Sequence, residues 1–230
     1  VLNGQLVTAY SQGRDLKFAT RQANGNWVIE TADAPRQSVG REAHLTTYNG
    51  EPIIAHRNFT LGQLRVTRKS NGRWSTKAIA PQNGEFGFRP SVLVYEQGIR
   101  IFHGTVPDDP DQSSDGTQWY TYGPLDADVY QQFSFDQLSA GGAQAIGRIG
   151  ESIAVFSRRR QRSALFGAQD GLYLWTDADD GQIVELEVAG AADQRRRYTN
   201  LDFQSDGVGL PVLLYADERT ATADEPDVSR

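Results

Sequence analysis

Apolar and polar residues alternate along the chain in short runs, and turn residues separate the runs. Residues 3–10 begin with a turn and continue as an apolar run that ends in the aromatic ring of Tyr10. Residues 49–56 follow the same order of residue types and end in the ring of His56. Residues 16–20 and 64–68 follow as a second alternating run in each segment. Alternation with a period of two residues is typical of half-buried β-strands, so the pattern predicts strands throughout.

Asparagine–glycine pairs mark turns between these runs. Residues 24–27 read Asn-Gly-Asn-Trp, and residues 71–74 read Asn-Gly-Arg-Trp. Asn-Gly between two alternating runs is the strongest short-range signal for a β-hairpin, because both residues tolerate a positive φ. We therefore expect the same hairpin in both segments, with Trp27 and Trp74 covering the interface between neighbouring sheets.

The segment recurs along the chain, with a ring near the end of the corresponding strand. These rings are spaced by 46, 47, 53 and 59 residues, at Tyr10, His56, His103, Phe156 and Tyr215. Each interval holds about four strand-like runs, which in the second unit are roughly 43–48, 52–57, 63–68 and 74–80. Four antiparallel strands per interval are typical of a β-propeller blade, and a β-sandwich has no reason to repeat such a set. We predict an all-β chain that forms a β-propeller of about five four-stranded blades, or part of a larger propeller.

We label the four strands of a unit A to D. One propeller domain, 1–217, then divides into repeat units of roughly 1–40, 41–88, 89–142, 143–196 and 197–217. The pattern begins at the end of an A strand and finishes on an A–B pair, at about 197–204 and 210–216. Either the ring closes within this chain, or the chain is a segment of a longer protein. Residues 218–230 are polar, which predicts a linker or one short closing strand.

Composition narrows the classes of function. The 230 residues are 38% hydrophobic, which suffices for a core, and the 23 glycines and 9 prolines suit many short strands. No apolar run approaches the roughly 18 residues of a membrane-spanning helix. The absence of cysteine excludes disulfides, thiolate nucleophiles and cysteine–zinc sites. A net charge of −6 disfavours generic nucleic-acid binding.

The repeat pattern G-x-x-x-x-A-[YH], L-[KR]-x-[AT], N-G-x-W resembles repeats in large secreted bacterial surface proteins of the propeller type. It is also loosely similar to sialidase-like and lectin-like propeller repeats. The resemblance covers residues 1–105 well and the remainder in outline. It implies an extracellular, cell-surface or periplasmic location and often binding to a ligand or surface, and it carries no single catalytic assignment for this chain. The sialidase Asp-box, S-x-D-x-G-x-x-W, is absent, because residues 70–74 read Ser-Asn-Gly-Arg-Trp.

Arginines are the first candidates for a binding site, on the face where the B–C and D–A connections of a propeller emerge. Arg41 and Arg89 each stand nine residues before a repeat glycine, at the entrance of an A strand, and Arg197 is a third. The predicted B–C loop of the fourth unit holds Arg158, Arg159 and Arg160. Guanidinium groups bind carboxylates and phosphates bidentately, so this face predicts an anionic ligand. Solubility, or pairing with the acidic loop at residues 108–111, is the alternative.

Rings add to this face. Four aromatic residues fall on or near it: Phe59, Phe86, Phe88 and Trp119. Rings beside polar loops stack on sugars or seat a protein partner, although scattered surface rings are also ordinary. Glycoside hydrolysis would need two carboxyl groups roughly 5–10 Å apart. The nearest candidates are Glu42, Glu85 and Asp202, and no spacing singles them out.

The acidic segment 106–116 is the longest insertion between predicted strands. Its carboxylates could ligate Ca²⁺ through hard oxygens, from Asp108, Asp109, Asp111 and Asp115. The EF-hand order is absent, and a solvated loop is the alternative. His56 and His103 occupy the repeat position of the other rings, which argues for packing rather than metal ligation. No other cofactor is expected.

The sequence thus predicts an exported, non-catalytic recognition or adhesion module that binds a glycan or an anionic surface polymer. The supporting pattern is a regular repeat without any recurring catalytic set. Two alternatives stay open: a structural propeller subunit of a larger cell-surface assembly with a protein partner, and a glycoside hydrolase-like enzyme. Propellers host all three classes, so the fold does not decide between them.

Overall fold

The alternating runs form seventeen β-strands within the described part of the chain. The computed structural model describes the backbone of residues 1–79, 86–96, 98–105, 117–139, 144–149, 151–163, 167–177, 183–188, 196–204 and 212–219. It describes the side chains of residues 1–79, 86–96, 98–105, 117–135, 145–149, 151–157, 173–177 and 183.

Each strand lies beside its neighbours in sequence, and the strands form five sheets. Sheet 1 contains β1 (Val7–Gln12), β2 (Asp15–Arg21) and β3 (Trp27–Asp33). Sheet 2 contains β4 (Val39–Tyr48), β5 (Glu51–Asn58), β6 (Gln63–Ser70) and β7 (Arg73–Ala78). Sheet 3 contains β8 (Phe88–Tyr95), β9 (Gly98–Gly104), β10 (Thr117–Pro124) and β11 (Gln131–Ser139).

Two further sheets follow. Sheet 4 contains β12 (Gln144–Ile149), β13 (Ser152–Ser163), β14 (Gly167–Thr176) and β15 (Ile183–Val188). Sheet 5 contains β16 (Arg196–Gln204) and β17 (Val212–Arg219). The all-β prediction is confirmed, and the four strands predicted in the second unit are found as β4 to β7. The blade count stays a prediction. No helix within the described ranges has the length and apolar character that a membrane crossing requires.

The chain forms two compact units: Val1–Thr105 with Trp119–Ser134, and Val106–Gln118 with Phe135–Arg230. In unit 1, sheet 2 is buried on both faces. Ile54 packs with Leu16 and Phe18 of sheet 1, whereas the adjacent Ile53 packs with Ile99 of sheet 3. Because successive side chains of a strand point to opposite faces, a strand covered on both sides is apolar at consecutive positions. Unit 2 has its own cluster of buried side chains, formed by Ala145, Ala154 and Phe156.

The asparagine–glycine turns are of two kinds. At residues 3–4, 49–50 and 71–72 both residues have positive φ, as a two-residue type I′ hairpin requires. The turn at residues 24–25 differs, because only Gly25 has a positive φ and five residues separate β2 from β3. The predicted hairpin is thus present in both segments, as β2–β3 and β6–β7, but its turn differs between them.

The two repeat tryptophans also differ. Trp74 packs edge-to-face on Phe18 of sheet 1, with ring centroids 5.3 Å apart, and its Nε1 donates to Glu30 Oε2 at 3.1 Å. Trp74 thus covers the interface between sheets 1 and 2, as predicted. Trp27 is 43% exposed, so within the described residues it does not have that role.

Candidate functional site

Near the starts of β4 and β8 the chain crosses closely over a strand of the preceding sheet, in the same way at both places. At the start of β4 and just before β8, a glycine with positive φ passes close over the start of a C strand, Gly40 over Leu16 and Gly87 over Leu64. A Cβ on Gly40 would lie 2.9 Å from the Leu16 Cα, and one on Gly87 would lie 2.8 Å from the Leu64 Cα. Only glycine permits this approach, and it fixes where the side chains that follow emerge.

The crossing corrects the predicted equivalence of Arg41 and Arg89. The two glycines are 47 residues apart, and so are Glu42 and Arg89, which have φ of 55° and 45°. Arg89 is thus the counterpart of Glu42, and Arg41 is the counterpart of Phe88. Glu42 Oε2 accepts a hydrogen bond from the Arg89 backbone N–H at 3.0 Å, which joins the two entrances.

Arg41 and Phe59 form the most exposed pair of predicted site residues. Phe59 follows β5 and is 47% exposed, and Arg41 Cζ lies 4.0 Å from its ring centroid. Arg57 approaches the same ring at 5.3 Å but is itself buried. Among the described residues, the Arg41 guanidinium makes no hydrogen bond or ion pair beyond this stacking. Its N–H groups therefore face solvent beside an exposed ring.

The other rings of this set are more embedded. Phe86 packs against the core cluster of sheets 2 and 3, and its ring lies 5.4 Å from Trp119 and 6.1 Å from His103. Trp119 Nε1 is buried and without a hydrogen-bond partner among the described residues. Phe88 lies against the Arg89 guanidinium, with 5.3 Å from Cζ to the ring centroid. These contacts join Phe86 to Trp119 and Phe88 to Arg89, and only Phe59 is largely exposed.

Beneath the Arg41–Phe59 pair lies a buried polar network. His56 Nδ1 accepts from the Gly40 N–H at 3.3 Å, and His56 Nε2 lies 2.8 Å from Thr67 Oγ1. Burial, together with the nearby Arg65 guanidinium, lowers the pKa of His56 to about 3, so the ring is neutral. Asp33 is hydrogen-bonded by Arg65, but burial outweighs this contact and raises the Asp33 pKa. The 3.7 Å approach of Asp33 to His56 is thus not an ion pair at neutral pH.

The same histidine–threonine pair recurs in sheet 3. His103 Nε2 lies 2.9 Å from Thr121 Oγ1, and burial lowers the pKa of His103 to about 4. The repeat therefore conserves a neutral buried ring and its hydroxyl partner. This arrangement agrees with the predicted packing role of both histidines.

The arginines of the fourth unit lie elsewhere than predicted. Arg158, Arg159 and Arg160 are in β13 and pair with β14, so they are not in a B–C loop. Arg160 is opposite Asp170 in the register of this strand pair. Arg197 lies near the start of β16, and Asp202 is further along it. The side chains of these residues lie outside the described set.

The acidic candidates lie mostly outside the described residues. This holds for Glu85 and for the proposed calcium ligands Asp108, Asp109, Asp111 and Asp115. In the part of the chain that is described, no group of three or more histidine or acidic side chains could hold a metal ion. The calcium site therefore stays a prediction.

Sequence reasoning missed a cleft at the other end of the same strands. It is lined by Tyr48, Glu96, Arg100 and Tyr122, among others. Glu96 occupies the turn position that Asn49 occupies in sheet 2, with φ of 49° and 50°, but no sequence signal marks this turn. The repeat thus continued through a turn that lacks the Asn-Gly pair.

Comparisons with known proteins bear on the fold. No protein-family model matches the chain. A search of curated proteins finds no match either. Among solved structures the chain is similar to the phage phi92 endosialidase, with 11% identity and a TM-score of 0.64. That match covers 89% of this chain, which spans 36% of the endosialidase chain.

Two arabinanases are also similar in structure. An exo-1,5-α-L-arabinanase from a bovine ruminal metagenomic library has 11% identity and a TM-score of 0.51, covering 80% of this chain and 75% of that one. A mutant of the Cellvibrio cellulosa α-L-arabinanase has 12% identity and a TM-score of 0.50, covering 95% and 87%. Identities this low show the fold alone, and the fold that these neighbours support is the β-propeller.

Proposed function

We propose that this chain is a non-catalytic recognition module that binds a glycan or an anionic surface polymer at the Arg41–Phe59 end of sheet 2. The observation that carries the proposal is the exposed Arg41 guanidinium stacked at 4.0 Å on the exposed Phe59 ring. Such a pair offers forked donors for a carboxylate and an apolar surface for a sugar ring. The names of the structural neighbours, an endosialidase and arabinanases, support saccharides as the ligand class.

The entrances of β4 and β8 extend this surface. Arg89 is exposed and lies in the strand next to β4, and Glu42 holds its backbone N–H in place. Both Glu42 and Arg89 have a positive φ, which costs a non-glycine residue on the order of 1–3 kcal/mol. Strain of this kind persists where the surroundings fix it, and it is common at ligand-binding positions. The proposal also includes an extracellular or cell-surface location for the protein.

A glycoside hydrolase is the second candidate, because the structural neighbours are named as enzymes. Glu42 is one of the described carboxylates at this end of the strands, with Asp15 and Asp33, and its Oε2 accepts a hydrogen bond from a backbone N–H. A catalytic Glu42 predicts that Glu42→Gln abolishes turnover of an oligosaccharide while the chain stays folded. Retention of binding without turnover in the unmodified chain would favour the recognition module.

The recognition proposal makes a quantitative prediction for Arg41. We expect Arg41→Gln to weaken binding of an oligogalacturonate hexamer roughly tenfold, because a charge-assisted hydrogen bond is lost at an exposed site. Binding of the fully methyl-esterified hexamer should not change, since it presents no carboxylate. Isothermal titration at low and physiological salt measures both, and the anionic probe alone should lose affinity as salt rises.

Arg73→Gln is the matched control for this experiment. Arg73 is also exposed, but it begins β7 at the opposite end of sheet 2, and its loss changes the net charge equally. Equal weakening by both substitutions would reduce the effect to overall charge. Undiminished binding to the Arg41 variant would refute the proposed site.

A further inference from the structure

A cleft of about 590 Å³ lies within unit 1 at the opposite end of the strands from Arg41 and Phe59. Sheet 2 contributes Tyr48 from the end of β4, and sheet 3 contributes the turn after β8 and the connection after β10. Its volume falls in the usual range for small-molecule sites, roughly 300–1,000 Å³. The cleft is thus separate from the surface proposed above.

One wall of the cleft is held in place by several contacts. The Tyr130 hydroxyl donates to the Leu125 carbonyl at 3.0 Å, and both side chains pack against the core cluster of sheets 2 and 3. Lys77 of β7 donates to the Ala127 carbonyl and lies 5.6 Å from the Tyr130 ring centroid. The connection after β10 is therefore fixed to sheet 2, which makes the cleft preformed.

Two of the four charges that line the cleft are already paired. Arg68 Nη2 lies 2.7 Å from Asp126 Oδ1, in an ion pair across its rim. The remaining two are Glu96 and Arg100. In the described residues the Glu96 carboxylate has no partner, and the Arg100 guanidinium makes one hydrogen bond, to its neighbouring carbonyl of Ile99.

Rings complete the lining. Arg100 Cζ lies 5.7 Å from the Tyr122 ring centroid, and Tyr48 lines the cleft from sheet 2. The cleft therefore combines a charged acceptor, a charged forked donor and aromatic surface, with a net charge of zero. Sugar hydroxyls both donate and accept, so they can satisfy Glu96 and Arg100 together while the C–H face of the ring packs on tyrosine.

We propose that this cleft binds a neutral saccharide, at a site that uses neither Arg41 nor Phe59. A carboxylate-bearing sugar would gain at Arg100 but would meet the Glu96 carboxylate in the same cleft. A neutral sugar brings no charge into the cleft, so it meets no repulsion from Glu96. The inference goes beyond the proposed function, because the two ends of the strands would differ in the charge of the saccharide that they bind.

The test is amide NMR of the full chain titrated to about 10 mM with four neutral hexasaccharides: arabinohexaose, xylohexaose, cellohexaose and maltohexaose. At least one should shift the amide signals of Gly98 and Gly123, which line the cleft, and leave those of Gly40 and Gly62 at the other end unchanged. Glu96→Gln should weaken that binding roughly tenfold, because it removes a charged acceptor without changing shape. Arg100→Lys should weaken it as well, since lysine lacks the planar fork.

Glu151→Gln is the matched control, because Glu151 is exposed in the corresponding A–B turn of sheet 4. It should bind as the unmodified chain does. No shift at Gly98 and Gly123 with any neutral probe would overturn the inference. Shifts there with oligogalacturonate alone would also overturn it, by showing an anion site. Neither result depends on Arg41, so failure of this inference and failure of the proposed function are distinguishable.

Discussion

Replacing Gly40 or Gly87 by alanine is expected to destabilise the fold by about 2–5 kcal/mol at each position. Both glycines have φ near +80°, where an L side chain costs roughly 1–2 kcal/mol. A Cβ would also lie within 3 Å of a backbone Cα, Leu16 for one glycine and Leu64 for the other. Backbone cannot yield as a flexible side chain does, so overpacking adds to the conformational cost. Guanidinium chloride unfolding, with the slope compared between variants, measures the loss.

Gly25→Ala separates the two causes. Gly25 has a φ of +85°, but no atom lies within 4 Å of the Cβ that alanine would add. Its loss of stability should therefore be the conformational part alone, about 1–2 kcal/mol. If Gly40→Ala cost no more than Gly25→Ala, the close crossing over Leu16 would be wrong. The double variant at positions 40 and 87 should lose about 4–10 kcal/mol, a large part of total stabilities that are typically about 5–15 kcal/mol.

The strands of units 1 and 2 could be predicted because period-two alternation and turn chemistry are local properties. The register of the repeat was harder to predict than the strands. Gly98 reads as the counterpart of Gly50, yet in the structure it pairs with Tyr95, as Glu51 pairs with Tyr48. The turn in sheet 3 uses Glu96 in the left-handed conformation, which its sequence does not signal. That slip of one residue produced the wrong equivalence of Arg41 and Arg89.

The candidate site was predictable in part. Arg41 and Phe59 were each singled out, but their stacking was not, because residues from β4 and the connection after β5 meet only when β4 and β5 pair. In the fourth unit the polar residues Arg158 to Arg160 were predicted to form a loop, but they lie in β13. A strand needs paired backbone groups rather than apolar side chains, so polar residues can continue it when the opposite strand is equally long. The cleft at Glu96 and Arg100 is lined by residues of two sheets, and no spacing in the sequence predicts that these residues come together.

Stability should fall steeply as the pH is lowered from 7 to 5, because two buried histidines resist protonation. The folded pKa is about 3 for His56 and about 4 for His103, against 6.5 when unfolded. Below pH 6.5 the unfolded chain binds a proton at each ring and the folded chain does not, so stability decreases with falling pH. At pH 5 each ring contributes about 2 kcal/mol of this loss, about 4 kcal/mol together. Urea unfolding at both pH values measures it.

His103→Phe tests the assignment, because phenylalanine keeps a ring at this position and cannot take up a proton. Phe156 was predicted at the same repeat position in sheet 4, but the strand register makes Ser157 the counterpart of His103. The variant loses the hydrogen bond to Thr121, but its stability should differ between pH 7 and pH 5 by about 2 kcal/mol less than that of the unmodified chain. Thr121→Val is the control, since it removes the same hydrogen bond and keeps the titrating ring.

Asp33, whose pKa is raised, acts in the opposite direction, because the folded chain takes up its proton first as the pH falls. An unchanged pH difference in His103→Phe would show that this ring is already protonated, or solvated, in the folded chain, and the buried histidine–threonine pair of sheet 3 would then be wrong.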